Sequence, residues 1–64
     1  MDKYYYDTVT QLEQTTNPEY TQGWVGGYLG NPEREEQRET NAYRAGFEDG
    51  KAGNTDQARN WKVN

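Results

Sequence analysis

A small all-α protein, in which a helical hairpin of two glycine/aromatic repeat helices follows an additional N-terminal helix, is the fold this sequence predicts. Three observations carry that expectation. The first is an internal repeat: "YTQGWVGGYLGN" (20–31) and "YRAGFEDGKAGN" (43–54) share the frame Y-x-x-G-aromatic-x-x-G-x-x-G-N at a spacing of 23 residues. The second is a pair of matching helix-start signals, Asn17-Pro18-Glu19 and Asn31-Pro32-Glu33, each offering a capping side chain, a proline suited to the first helical position and an acid in the positive first turn. The third is a pair of helix-stop signals, Gly30-Asn31 and Gly53-Asn54, able to take the left-handed conformation that closes a helix.

Taken in order, 1–16 reads as an N-terminal segment, 18–30 and 32–53 as the two repeat helices, and 55–64 as a C-terminal tail. All belong to one domain. In the first segment Tyr5, Val9 and Leu12 fall at i, i+4 and i+7, a helical stripe, although "YYYDTVT" also suits a strand; helix is preferred. On a wheel of about 100° per residue the repeat places Tyr20, Gly23, Trp24 and Gly27 in one stripe, and Tyr43, Gly46, Phe47 and Gly50 in an identical one. Each glycine inside a helix costs about 0.5–1 kcal/mol relative to alanine, so something must offset several of them. The expected offset is close packing of the two helices, with the ring of one over the glycine notch of the other. Two glycine-rich loops are the alternative. In the tail, Thr55-Asp56 is expected to cap a last turn that lays Trp61 over the hairpin.

Composition narrows function more by exclusion than by assignment. A chain of 64 residues has at most one thin core, and without cysteine or histidine it has no disulfide framework and no Cys/His zinc site. Association, as a homodimer or with a larger partner, is the remaining route to extra stability. Val9, Leu12, Val25, Leu29 and Val63 are the whole complement of branched aliphatic residues, so tyrosine and tryptophan must supply the apolar surface. No stretch is long and apolar enough to be a signal peptide or a membrane span, which points to the cytoplasm. Seven basic against eleven acidic side chains give a net charge of −4, the wrong sign for direct nucleic-acid binding.

Serine, cysteine and histidine are all absent, removing the usual nucleophiles and the usual base near neutral pH. Glu48-Asp49 and Glu35-Glu36 are neighbours that diverge on a helix, and nothing nearby in sequence would raise one of their pKa values. A non-enzyme without metal or cofactor is the expectation. Two features suit recognition. One is an acidic face of Glu33, Glu35, Glu36, Glu39, Glu48 and Asp49; the other is the aromatic set Tyr4, Tyr5 and Tyr6, which cannot all face one core and so leave at least one ring exposed for a partner. A solvated charged face and a frayed N-terminus are their plainer counterparts.

The phrases Gly23-Trp24-Val25-Gly26-Gly27-Tyr28-Leu29-Gly30 and Ala42-Tyr43-Arg44-Ala45-Gly46-Phe47-Glu48-Asp49-Gly50 resemble the ribosome modulation factor family over about residues 20–54. That resemblance implies a small two-helix hairpin and association with ribosomes rather than catalysis. The family is strongly basic and this chain is acidic, and "NPEREEQRET" does not match its connector, so only the fold carries over. The functional expectation is a non-catalytic adaptor or inhibitor of a larger protein or nucleoprotein assembly, with the acidic face standing where phosphates would lie in its sharpest, phage-type form. A ribosome-associated protein using Arg34, Arg38, Arg44 and Lys51 is the second expectation. An oligomeric nucleotide sponge is the third.

Overall fold

The computed structural model describes residues 2–35 and 38–63. Among the described residues three α-helices follow in order, α1 (Lys3–Thr15), α2 (Pro18–Leu29) and α3 (Asn41–Ala52), and a 3₁₀ turn, Ala58–Trp61, comes after them. The fold is all-α, with the two repeat helices packed on one another as consecutive elements. Each helix begins where a short polar side chain satisfies a free amide. Asp2 accepts from the Tyr5 amide at 2.7 Å, Asn17 from that of Glu19 at 2.8 Å, and Thr40 from that of Tyr43 at 3.1 Å.

The expected start of α3 at Pro32 is corrected to Asn41. Asn31, read as a cap for the next helix, instead finishes the previous one. Gly30 turns left-handed at φ 74°, and the amides of Gly30 and Asn31 return to the carbonyls of Gly27 and Gly26 at 3.3 and 2.9 Å. Gly53 (φ 81°) and Asn54 close α3 on Gly50 and Asp49 in the same way. Both copies of the glycine-asparagine pair are therefore stop signals.

Direction is the main thing the repeat left unstated. A Cβ built on Gly23 would meet the Tyr43 carbonyl oxygen at 2.1 Å, and one on Gly27 the Phe47 oxygen at 2.1 Å. Reciprocally, Gly46 faces the Tyr20 oxygen at 2.0 Å and Gly50 the Trp24 oxygen at 2.1 Å. Residue numbers rise together along the seam, so α2 and α3 run in the same sense. The ends agree: Thr40, the cap of α3, donates to Glu19 in the first turn of α2 at 3.1 Å, and the Trp24 indole donates to the Asn54 carbonyl just past the end of α3 at 2.8 Å. A same-sense pair needs a return connection about as long as α2, roughly 18 Å for twelve residues at 1.5 Å each. The return runs through residues 31–40, a strap whose described residues, 31–35 and 38–40, form no α-helix and close one turn where the Arg38 amide donates to the Glu35 carbonyl at 2.8 Å; ten residues of α-helix would rise only about 15 Å.

The seam also changes the expected packing. Gly23, Gly27, Gly46 and Gly50 are notched for the other helix's backbone, not for its rings; only Gly26 faces a ring, that of Phe47, at 3.6 Å. The hydrogen standing in each Cβ direction points at a carbonyl oxygen, a C–H···O contact that contributes about 0.5–1 kcal/mol. Displaced from the seam, the rings build the core beside it. Tyr20 and Trp24 are fully buried, and Trp24 stacks on Tyr28 with centroids 4.9 Å apart and planes 12° from parallel. Tyr5 of α1 lies over both, 6.0 Å from Trp24 and 5.4 Å from Tyr28.

Helix α1 packs antiparallel to α2, with Asp2 accepting from the Tyr28 hydroxyl at 3.1 Å at one end and Thr16 meeting Thr21 at 3.0 Å at the other. Why α1 chooses the first copy is written in the repeat. Thr21, Val25 and Tyr28 correspond to Arg44, Glu48 and Lys51, so the second copy offers charge where the first offers a helix-binding face. Trp61 packs against the core as expected, and its carbonyl accepts from the Asn17 amide at 2.8 Å. The turn before it is set by Asn54, whose side chain accepts from the Asp56 amide at 3.0 Å.

Alanine at Gly23, Gly27, Gly46 or Gly50 forces a methyl into a backbone carbonyl, and each is expected to destabilise by about 1–3 kcal/mol or more in chemical denaturation, most of the stability of so small a domain. Gly26→Ala meets only ordinary contacts at 3.6 Å and beyond. It should be neutral or stabilising by up to about 1 kcal/mol.

Candidate functional site

The acidic residues singled out by sequence do not form one face. Asp49 is a correction: it is 5% exposed and holds the interior together. Its Oδ2 accepts from the Tyr20 hydroxyl at 2.6 Å and from the Gln57 amide at 2.7 Å, and its Oδ1 from the Gln57 side chain at 3.0 Å. The repeat explains why it is there. Tyr43 is the counterpart of Tyr20, and its hydroxyl reaches toward Gly26, the counterpart of Asp49. With no acid at that position, the Tyr43 hydroxyl accepts instead from the Arg34 amide of the strap at 3.2 Å.

Glu39 is also turned inward, its side chain 7% exposed and its Oε2 bound by Arg44 at 3.0 and 3.3 Å. Glu33, Glu35 and Glu48 are exposed, and Glu36 lies outside the described residues. The basic strip is equally broken up. Arg34 lies 4.0 Å above the Tyr43 ring while its guanidinium donates to Glu19 and Gln22, both at 2.6 Å, and Arg44 is held by Glu39. Of the three tyrosines, Tyr5 is in the core stack, Tyr4 donates to the Gly53 carbonyl at 2.9 Å, and Tyr6 is 64% exposed.

Titration behaviour follows from these contacts. Burial, reinforced by the Asp49 hydrogen bond, pushes the Tyr20 hydroxyl far above the ordinary tyrosine range. The Arg34 guanidinium holds Glu19 below the usual carboxylate value, against partial burial, with help from Thr40. The interaction between the neighbouring Glu33 and Glu39 carboxyls raises the first and lowers the second, and Arg44 adds to the lowering of Glu39. These are the signatures of structural pairs. No buried polar side-chain atom among the described residues lacks a hydrogen-bond partner.

What remains open is a groove between α1 and α2 of about 390 Å³, lined by Val9, Glu13, Pro18, Thr21, Gln22 and Val25. Helical register extends it at one end. Tyr6 lies one turn before Val9 and on its Glu13 side, and Leu29, 55% exposed, lies one turn beyond Val25. Val9 and Val25 are half-buried, packed against the core on one side and bordering the groove on the other, so that with Leu29 three of the chain's five valines and leucines border one open strip, while Leu12 is fully within the core. Sequence reasoning missed this strip because each helix was read for its buried stripe. The available signal was the contrast of Val25 and Leu29 with Glu48 and Ala52 in the second copy. A second groove of about 530 Å³, between α1 and the C-terminal segment, is lined mostly by polar side chains, including Thr8, Gln11, Thr15, Asp56, Arg59 and Lys62.

None of the described helices is long and apolar enough to cross a membrane. No family model, curated protein or solved structure matches the chain.

Because its folded-state pKa is raised, Tyr20 contributes stability that is complete below the ordinary tyrosine pKa of about 10 and declines as pH rises above it. In an ultraviolet absorbance titration it should stay protonated until the fold opens, and Tyr20→Phe should remove that component of alkaline unfolding. Asp49→Ala strands the Tyr20 hydroxyl and the Gln57 amide and should cost about 1–3 kcal/mol. Glu19 has the opposite sign: its depressed pKa gives stability that is present above the ordinary glutamate value and lost as pH falls through the folded one. Glu19→Gln should flatten that acid limb of the stability profile.

Proposed function

We propose that this chain is a cytoplasmic, non-catalytic binding protein that attaches to a larger protein or nucleoprotein assembly and modulates or inhibits it, docking through the open face of α1 and α2. The observation that carries this reading is the placement of aliphatic side chains. A chain with a mean hydropathy of −1.49 has few apolar residues to use, and a small domain gains most by burying them. Leaving Leu29 exposed and Val9 and Val25 only half-buried along one open strip forgoes burial in the free protein that a complex would supply.

The polar interior supports the same reading from the other side. Asp49 and Tyr20 are consumed by internal hydrogen bonds, and Arg34, Arg44, Glu19 and Glu39 by ion pairs that fix the strap to α2 and α3. An inhibitor acting by phosphate mimicry has only Glu33, Glu35 and Glu48 of its expected described set on the surface, so apolar docking is the stronger form of the proposal.

Affinity capture from the source cell with the full chain as bait, followed by mass spectrometry, tests it. The expected result is a defined multi-component target retained at about 0.5 M salt, where surface charge pairs are largely screened, and lost with Leu29→Asp. Loss at moderate salt, together with sensitivity to reversal of Glu33, Glu35 and Glu48, would replace this surface with the acidic one. Absence of any specific partner would remove the proposal.

A further inference from the structure

We infer that the groove between α1 and α2 receives a short amphipathic helix of the partner carrying a lysine or arginine opposite Glu13; this rests on the binding-protein reading above and specifies its partner. The floor of the groove is Val9, Thr21 and Val25, its walls are Glu13, Pro18 and Gln22, and Tyr6 and Leu29 prolong it in helical register. An occupant must therefore bring apolar side chains in a row. The open strip follows α2 from Pro18 to Leu29, about 18 Å at 1.5 Å per residue, which is a little over three helical turns.

Backbone chemistry selects a helix over an extended segment. Both walls are helices whose amides and carbonyls are already bonded within themselves, and among the described residues no strand edge borders the groove. An extended peptide lying on Val9 and Val25 would have its own amides and carbonyls desolvated without partners. A helix brings its backbone bonds with it and buries only side chains.

Charge selects the sign of the occupant. Among the described residues Glu13 is the only charged side chain lining the groove, and it has no ion-pair partner there. Lys3, the nearest cation on α1 in sequence, is held by Asp7 at 2.7 Å. Gln22 on the opposite wall is neutral, and its Oε1 is already bound by Arg34. A cation placed against Glu13 during burial gains a charge-assisted contact, whereas an acid is repelled. A second copy of this chain is the poorer occupant, since it brings a net charge of −4 and the same Glu13 to a symmetric contact. Nucleic acid finds no cation in the groove lining to neutralise its phosphates.

The test uses two synthetic amphipathic helical peptides with the same leucine face, one with lysines flanking that face and the other with glutamates, titrated into the isotope-labelled full chain by NMR. The expected result is that the Leu/Lys peptide shifts the amides of Val9, Glu13, Thr21, Val25 and Leu29, and that Leu29→Asp weakens it at least tenfold. Glu13→Lys should weaken the same peptide and allow the Leu/Glu peptide to bind in its place. Both substitutions are at exposed positions, so the fold is retained; Val9→Thr, nearly isosteric, gives a third, milder loss. Shifts centred on Glu33 and Glu35 and indifferent to Leu29→Asp, or no exchange of peptide preference in Glu13→Lys, would overturn the inference. The two readings fail separately: a cellular partner still captured by Leu29→Asp removes the groove and leaves a binding protein, while failure to capture any partner removes the broader reading whatever the peptides do.

Discussion

Four glycines set against four carbonyls govern this molecule. Gly23, Gly27, Gly46 and Gly50 bring α2 and α3 to backbone contact, and no side chain larger than hydrogen can stand at any of them. Close approach has consequences that spread outward. With the seam filled by backbone, the aromatic side chains of both repeats must lie beside it, and Tyr20 and Trp24 become the buried centre although the chain has almost no aliphatic core. The glycine cost in helix propensity is thereby offset by contacts that only glycine permits.

The same-sense seam then dictates the rest of the chain. The strap must return the full length of α2, and it is fastened on the way by Arg34, which reaches Glu19, Gln22 and the Tyr43 ring together. Helix α1 and the strap divide the labour on the two copies, one lying over Trp24 and Tyr28 and the other over Tyr43. A two-fold repeat in sequence is thus completed by two unlike coverings. The break in symmetry is chemical: Asp49 stands where the first copy has Gly26, and it draws the C-terminal segment onto α3 through Gln57.

Much of this was legible. The 23-residue repeat and the stop signals at Gly30 and Gly53 located α2 and α3 and the ends of both, and the Tyr5–Val9–Leu12 spacing located α1. Direction was not, because a glycine stripe has the same period whichever way its partner runs. The Asn31-Pro32-Glu33 signal misplaced the start of α3, since the left-handed closure of α2 uses Asn31 and a same-sense seam needs a return connection longer than a ten-residue helix would span; Thr40 caps the helix instead. The acidic face dissolved for a similar reason. Asp49 lies on the buried side of α3, where a wheel carrying only apolar residues gives no reason to expect an acid, and its partner Tyr20 is 29 residues away in sequence. The open strip of Val9, Val25 and Leu29 depends on which flank of α2 is left uncovered, a property of three packed elements that no single helical pattern contains.

The seam itself is open to direct measurement by nuclear Overhauser contacts between the α-protons of the four glycines and the amides of the facing helix. The structure requires Gly23 to contact the Phe47 amide, Gly27 that of Lys51, Gly46 that of Trp24 and Gly50 that of Tyr28, a ladder that ascends both helices together. A ladder in the reverse order, with Gly23 meeting Lys51 and Gly27 meeting Phe47, or no contact across the pair, would contradict it.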